Sequence, residues 1–421
     1  MLISNSSVKK LKRRLNEVSA TQEAYERSTI NLIASDNLVP GWRASERSYK
    51  GDMIQEGIVG KRPFAGARFH DELEYLASEV ASKIFGLDHA ILQSHSCSQA
   101  NQAAYHALLR PGDRALALQF RAGGHLTHGM KSNFSGRLYD FSYFGVTEDG
   151  RIDYDAVRQL AQKIRPKLMI CGSSSYPWAY DIAAFRAICD EIGASLMLDL
   201  SHEAGLIAGG AFQCDLALAD VVTMSLDKTL RGTHGAAILC KAEIADLMNS
   251  AVHPGTQSSF AIQRLTDAAC ALLETQTPQF AEYATRAVKL GRQMSGQFLD
   301  HHAGSVFGGG TDKHYFLLDT RRAFGIDGAK AEGLLERVGI LTNRQPLPSA
   351  DSDRLKDAEG IRIGTAWLAS AGYEVNDSKK LVEILIDVLS QTRILDAEVV
   401  VRELAARRRL LDVRTILSSG Q

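Results

Sequence analysis

The stretch Thr223-Met224-Ser225-Leu226-Asp227-Lys228-Thr229-Leu230-Arg231-Gly232 decides the fold. It is a short apolar run that stops at Ser225, followed by a lysine and a turn that contains glycine. Upstream, Leu196-Met197-Leu198-Asp199 is typical of a buried strand with a carboxylate at its C-terminal end. Ligands of open parallel sheets bind beyond the carboxyl ends of the strands, so Lys228 and Asp199 are expected to face one crevice.

Short apolar runs alternate with helical patterns between residues 87 and 240. This alternation predicts an α/β fold, with a mostly parallel sheet and helices on both of its faces. The predicted strands are 89–93, 114–119, 167–171, 195–199, 219–224 and 236–240. The predicted helices are 98–109, 153–164 and 181–192.

The sequence on either side of this pattern predicts a chain of three parts. They are an N-terminal helix and irregular arm (1–70), a large α/β domain (71–275) and a smaller C-terminal α+β domain with a terminal helix (276–421). A helix is expected to run from Asp71 to Gly86, and the tract from 257 to about 300 is predicted as one long helix. The terminal helix is expected to run to about Leu417, with Arg407-Arg408-Arg409 on a solvated face.

Composition excludes several classes of protein. The 421 residues are 45% hydrophobic and 23% charged, as in an ordinary globular protein, and 48 basic residues balance 49 acidic ones. That balance gives no reason to expect nucleic acid or an anionic membrane as a partner. No apolar run approaches the ~20 residues of a membrane span, and no signal peptide is recognisable. The six cysteines form no CxxC pair, so we expect neither a metal site nor disulfides, and a cytoplasmic setting.

A lysine and an aspartate at strand ends can build a site for pyridoxal 5'-phosphate. The lysine forms a Schiff base with the aldehyde, and the carboxylate keeps the pyridine nitrogen protonated so that the ring accepts electrons. Ser96, Cys97 and Ser98 stand just before a predicted helix, where backbone N–H groups suit a phosphate.

Several segments along the chain resemble those of serine hydroxymethyltransferases. They are Asn31–Asn37, Glu56–Arg62, His95–Asn101, Gly123–Gly129, Asn133–Gly136, Asp199–Leu206, Lys228–Gly232 and Gly360–Thr365. The segments keep the family's order and near-constant spacing over roughly residues 20 to 390. The resemblance implies the fold type of aspartate aminotransferase (fold type I), bound pyridoxal phosphate, and a homodimer with shared active sites.

The resemblance also implies roles around the cofactor. Lys228 matches the Schiff-base lysine, Asp199 the partner of the pyridine nitrogen, and His125 the histidine that stacks on the ring and orients the substrate hydroxyl. Ser174, His202 and Ser225 match further positions near the cofactor.

Other matched residues bear on the substrate. Arg362 matches the residue that binds the amino-acid carboxylate, assisted by Ser35 and His202, because a guanidinium holds a carboxylate bidentately. Glu56 matches a catalytic acid–base glutamate that reaches across the dimer interface. The implied function is a transferase or aldolase that makes or cleaves the Cα–Cβ bond of a small β-hydroxy amino acid of the serine and glycine type.

Departures from the family pattern cluster around the substrate and leave alternatives open. Ile54, Pro63 and Phe64 replace tyrosines, one of which stacks on folate in the family. Asp227 replaces a histidine, and Thr233-His234-Gly235-Ala236 replaces Pro-Arg-Gly-Gly. Use of tetrahydrofolate therefore stays open. The alternatives are a folate-independent threonine-type aldolase or transaldolase, an α-methylserine-type transferase, and a non-catalytic protein that kept the fold.

Overall fold

A computed structural model of the chain describes residues 5–38, 55–348 and 355–406. Three features singled out in the sequence lie outside the described residues: Ile54, the arginines 407–409 and the last part of the terminal helix. Within the described residues, no helix is both long and apolar enough to cross a bilayer.

The strands among the described residues belong to one large sheet and three small ones. In chain order they are β1 (Ile30–Asn31), β2 (Gln55–Glu56), β3 (His89–Ile91), β4 (Arg114–Leu118), β5 (Asp140–Phe144), β6 (Leu168–Gly172), β7 (Ser195–Asp199), β8 (Val221–Ser225), β9 (Ala236–Cys240), β10 (Ser259–Phe260), β11 (Tyr315–Leu318), β12 (Ile340–Leu341), β13 (Asn343–Gln345) and β14 (Gly360–Gly364).

The large sheet has seven strands in the order β3-β9-β8-β7-β6-β4-β5. Strands β5, β4, β6, β7 and β8 run parallel, and β9 and β3 complete the sheet with antiparallel pairing. Both faces of the sheet are buried: Leu168 and Ile170 pack on one face, and Met169 and Cys171 on the other. A strand buried on both faces has a nearly continuous apolar sequence, which explains why these strands are recognisable. The predicted mostly parallel α/β fold is confirmed.

Helices cover the sheet and build most of the C-terminal part. Their bounds are Asn5–Ser28, Arg68–Phe85, Cys97–Leu108, Phe134–Leu138, Tyr154–Ile164, Ile182–Ile192, Ala204–Ala208, Ala245–Val252, Gln263–Glu274, Pro278–His301, Thr320–Phe324, Gly328–Arg337, Ala366–Ser370, Val375–Leu389 and Ile394–Ala406. Short 3-10 segments are Phe120–Ala122, Leu216–Leu218, Ala242–Ile244, Phe307–Gly309 and Leu355–Asp357. Gly86 ends helix Arg68–Phe85 in the left-handed conformation (φ 68°), which a residue without Cβ adopts at no steric cost.

A second core lies in the C-terminal part of the chain. The three-stranded antiparallel sheet β11-β14-β13 packs there with helices Pro278–His301 and Val375–Leu389. The N-terminal strand joins this core: β1 pairs in parallel with β12, and Ile30 and Leu32 are fully buried in it. The division of the chain at residues 70 and 275 stays a prediction.

Two sequence predictions about elements were wrong, and two elements were missed. The tract from 257 to 300 is not one helix, because it contains β10 and the break at 275–277, where Thr277 caps the next helix and Pro278 begins it. Proline lacks the N–H that a continuous helix would need, so it starts a new helix instead. The arm predicted as irregular contains β1 and β2. Strand β5 and helix Ala245–Val252 were not predicted.

Candidate active site

A cavity of about 300 Å³ opens beyond the carboxyl ends of β7 and β8. The predicted site residues that line it are Ser35, Ser96, Cys97, Ser98, His125, Ser174, Asp199, His202, Ser225 and Lys228. The other described residues that line it are Asp36, Ser173, Ser201, Asp227 and His234. Arg362 and Glu56 are not among the described lining residues. The structure therefore brings ten of the predicted residues together, with Lys228 and Asp199 in one crevice.

Asp199 ends β7 as a buried carboxylate that is 5% exposed. Its Oδ2 accepts hydrogen bonds from Asn101 Nδ2 (2.8 Å) and His128 Nε2 (3.1 Å). Its Oδ1 accepts from the Ser201 hydroxyl (2.6 Å) and the Ser201 backbone N–H (3.2 Å). Because four donors converge on it, the carboxylate is fixed in place and its charged form is favoured.

Burial and hydrogen bonding have opposite effects on the pKa of Asp199. Burial alone would raise the pKa, but the hydrogen bonds from His128 and Ser201 outweigh it and hold the pKa of Asp199 well below its usual range. The carboxylate therefore stays negative at the cavity, as a partner for a protonated pyridine nitrogen must.

Lys228 lies in the loop that connects β8 to β9. Burial lowers the pKa of Lys228, although the charge of Asp199 opposes that shift. A lysine whose ammonium form is disfavoured gives up its proton more readily, which suits an amine that must attack a carbonyl.

Helix Cys97–Leu108 points its N-terminus at the cavity. Ser96 caps it, because its Oγ accepts from Gln99 N at 3.3 Å. The Ser98 side chain and the free N–H groups of the first turn remain available to an anion. The Cys97 thiol, by contrast, lies 3.7 Å from Asp199 Oδ1 and 2.9 Å from the Ser201 hydroxyl oxygen. Burial raises the pKa of this thiol, so it stays protonated.

The His125 loop depends on a close backbone approach. Gly123, with φ 114°, bonds through its carbonyl to the Ser174 N–H at 2.8 Å, and any Cβ on it would lie 2.5 Å from Tyr176 N. His125 Nδ1 contacts Thr127 Oγ1 at 2.7 Å. Burial lowers the pKa of His125 to about 3, so its ring is neutral at physiological pH.

His202 also lines the cavity and is one of two stacked histidines. Its ring is stacked on His314 with centroids 5.5 Å apart, and His314 Nε2 donates to the carbonyl of Ala34 at 3.1 Å. Glu203, next to His202, and Lys313, next to His314, form a fully buried ion pair in which Lys313 Nζ lies 2.6 Å from Glu203 Oε1. Glu203 outweighs the effect of burial and keeps the pKa of Lys313 raised.

Arg362 lies in β14 beside the cavity rather than on its described wall. It is 7% exposed, donates through Nη1 to the carbonyl of Ser174 and through Nε to Asn343 Oδ1 at 3.3 Å. Ser174 Oγ donates to the Gly124 carbonyl at 3.1 Å. Arg362 is thus held against the cavity wall through Ser174.

Glu56 is not among the described residues that line this cavity. It lies in β2, which pairs with β10, and its Oε2 accepts from the Ser258 hydroxyl. The register places Glu56 opposite Ser259. The short sheet therefore joins the glutamate to the segment Gln257-Ser258-Ser259-Phe260.

Sequence reasoning did not single out three residues that hold Asp199. All three lie inside segments that resemble the family. Asn101 and His128 are 98 and 71 residues from Asp199, so nothing in their spacing ties them to it, whereas Ser201 follows Asp199 by two residues. Thr223 Oγ1 supports the network by donating to Asn101 Oδ1 at 2.7 Å.

The fold and the cavity define a class of enzyme. A seven-stranded, mostly parallel sheet with this cavity at its strand ends is the architecture of α/β pyridoxal phosphate enzymes of the aspartate aminotransferase fold type.

Comparisons with known proteins give the family. The family model described as serine hydroxymethyltransferase matches residues 8–385. The chain is 41% identical over 372 residues to the serine hydroxymethyltransferase of Levilactobacillus brevis, covering 88% of this chain and 90% of that one. It is 38% identical over 382 residues to that of Mycoplasma capricolum, covering 90% of this chain and 91% of that one. The chain belongs to the serine hydroxymethyltransferase family.

Family membership confirms several predictions from the sequence. The chain is a pyridoxal-phosphate-dependent transferase, and its family uses tetrahydrofolate as a co-substrate. The comparisons do not favour the folate-independent alternatives that the lost tyrosines suggested.

Proposed function

We propose that the chain transfers a hydroxymethyl group between serine and tetrahydrofolate, forming glycine, at the cavity beyond β7 and β8. The observation that carries the proposal is the buried, ionised Asp199 in one cavity with Lys228. When bound there, pyridoxal phosphate supplies an electron sink for the bond that breaks at Cα.

The described residues fit this cofactor. The Asp199 carboxylate faces the cavity, where it would accept from the pyridine N–H. Ser96, Ser98 and the start of helix Cys97–Leu108 would hold the phosphate, and the neutral ring of His125 would lie against the cofactor. Ser225 and His202 complete the wall.

The proposal is tested by supplying serine and tetrahydrofolate to the purified protein with pyridoxal phosphate. Glycine formation that depends on the folate is the expected result. Cleavage of threonine-type substrates without folate, in the absence of that reaction, would overturn the proposed function.

Arg362 would hold the substrate carboxylate, with Ser35 and His202 close to it. Two of its guanidinium nitrogens are already bonded to Asn343 and Ser174, so the group has a fixed plane before substrate arrives. A carboxylate fixed in this way would give the Cα bonds of the substrate a defined orientation toward the cofactor that Lys228 and Asp199 would hold.

Arg362→Lys should weaken serine binding much more than turnover. A lysine cannot form the bidentate contact, and one charged hydrogen bond is worth about 1.5–3 kcal/mol, so the KM for serine should rise about 10–100-fold. Steady-state kinetics at varied serine checks this. Arg344→Lys on the neighbouring β13, whose side chain is paired with Glu332, is the matched control and should leave KM unchanged.

We further propose a homodimer in which Glu56 acts in the partner's cavity. It is supported by the position of Glu56, which lies in β2 away from the described wall of its own cavity. It is also supported by exposed apolar side chains on two helices: Leu11 (51%), Leu15 (68%), Phe69 (62%) and Leu76 (49%). Apolar groups on an otherwise polar surface are typical of an interface.

A cytoplasmic setting is consistent with six free cysteines.

Mixing two inactive variants tests the shared site. A dimer of one Lys228→Ala and one Glu56→Gln subunit has one site with both residues intact. Random exchange makes half of the dimers mixed, so about a quarter of wild-type activity should return. If Glu56 served its own subunit instead, the mixture would stay as inactive as its parents.

A further inference from the structure

The loop between β8 and β9 brings a carboxylate and an imidazole together at the cavity. Asp227 Oδ2 lies 2.5 Å from His234 Nδ1, and both residues line the cavity with Lys228. The loop is closed by two backbone hydrogen bonds, from Leu226 N to Gly235 O (3.0 Å) and from Gly232 N to Leu226 O (2.6 Å). This closure places positions 227 and 234 opposite each other.

This pair departs from the family pattern at both positions. The family has histidine where Asp227 stands and arginine where His234 stands. Two side chains that can carry positive charge are thus replaced by a carboxylate–imidazole pair. Either change alone would not give a carboxylate–imidazole pair, so the contact depends on both substitutions.

The contact with Asp227 fixes the tautomer and the orientation of the His234 imidazole. A carboxylate on Nδ1 keeps the proton on that nitrogen and leaves the lone pair on Nε2. Nε2 has no hydrogen-bond partner among the described residues, and the side chain is 74% exposed. His234 therefore meets both the cavity and the solvent.

We propose that His234 carries the proton that Lys228 exchanges with solvent, and that Asp227 is its positioning residue. The proposal rests on the proposed function, in which Lys228 must be a neutral amine to attack a carbonyl. In this step Nε2 takes one proton from the Lys228 ammonium, and the imidazolium beside Asp227 then releases it to water. No bond to carbon forms or breaks, and nothing is oxidised.

Several other titratable or charged groups lie near Asp227 and His234. Lys228 belongs to the same loop, and burial already lowers its pKa. The remaining titratable groups on the described cavity wall are Asp36, Cys97, His125, Asp199 and His202. Arg264 packs behind the loop, since its Nη2 donates to the Ser94 carbonyl (3.1 Å), which also accepts from Ala236 N (3.2 Å).

The test follows the visible absorbance of the cofactor-loaded enzyme after rapid mixing with glycine, over a range of pH. His234→Gln should slow the absorbance change by about 10²-fold, the lower end of a general acid–base contribution. Asp227→Asn removes the carboxylate that holds the imidazole in place, so the absorbance change should slow in this variant as well. Added imidazole should restore part of the rate to His234→Ala. His301→Gln, at an exposed helix end, is the matched control.

The outcomes separate this inference from the proposed function. A His234→Gln enzyme with the rate and pH profile of wild type would overturn the inference alone. So would a slow His234→Ala enzyme that imidazole does not restore, since that result assigns the residue a purely structural role. A wild-type protein that shows no absorbance change with glycine would overturn both.

Discussion

Lys228→Ala is expected to abolish turnover, with a loss in kcat of ~10³-fold or more, because the side chain is the proposed covalent anchor of the cofactor. The rest of the cavity would be unchanged, since Asp199 is held by Asn101, His128 and Ser201 rather than by the lysine. The variant should therefore still bind pyridoxal phosphate, but without covalent attachment.

Borohydride reduction followed by mass analysis of the protein distinguishes the two cases. Wild type should retain the reduced cofactor on the peptide that contains Lys228, and the variant should retain none. Lys380→Ala, an exposed lysine on helix Val375–Leu389, is the control and should behave as wild type. A Lys228→Ala protein that keeps its activity would remove the basis of the proposed function.

Glu203→Gln is expected to lower the free energy of unfolding by about 3–5 kcal/mol, because it leaves a buried ammonium without a counter-charge. Lys313 and Glu203 are both 0% exposed, and the rings of Tyr176, Tyr180, Phe212 and Tyr315 surround Nζ within 6.0 Å. Urea unfolding at fixed protein concentration measures the loss.

Two further variants decide the cause. The double variant Glu203→Met with Lys313→Met removes both charges and should recover most of the stability, since an apolar pair of similar volume suits that site. Breaking the exposed Arg158–Glu191 pair with Arg158→Ala should cost less than about 1 kcal/mol. A Glu203→Gln loss as small as that of Arg158→Ala would show that the buried pair contributes little.

The pH dependence of Glu203→Gln provides an independent check. Without its partner, Lys313 should have a lower pKa in the folded protein than in the unfolded chain. The unfolded state then binds more protons, so the stability of this variant should increase as pH rises.

The sequence predicted the centre of the large sheet well and its periphery less well. Strands β6 and β8 are buried throughout and β7 is buried at every residue except Ser195, and all three have the nearly continuous apolar sequences that reveal such strands. Strand β5 lies at the sheet edge with a mostly half-exposed pattern, so its sequence carries only a weak signal. The break at Thr277 and Pro278 did carry a signal, because a cap followed by proline begins a helix.

The site was predictable where strand ends carry it and not where distant residues meet. Asp199 and Lys228 follow from the rule that parallel strands present ligands at their carboxyl ends. The bond from His128 to Asp199 joins positions 71 residues apart, and no local pattern reveals it. Glu203 and Lys313 are charged residues whose types usually indicate surface, and only the folded chain shows them as a buried pair.

The pairing of β1 with β12 has a consequence for synthesis of the chain. Residues 30 and 31 leave the ribosome early, but their partners at 340 and 341 follow only after roughly 300 more residues, or about 15–60 s at 5–20 residues per second. The part of the cavity wall that contains Ser35 can form only after these later residues have been synthesised. The backbone of Leu32 is hydrogen-bonded to Gly364, and the carbonyl of Ala34 is hydrogen-bonded to His314. The nascent enzyme therefore completes its cavity last, and a shortened chain that ends before β12 should expose Ile30 and Leu32 to chaperones.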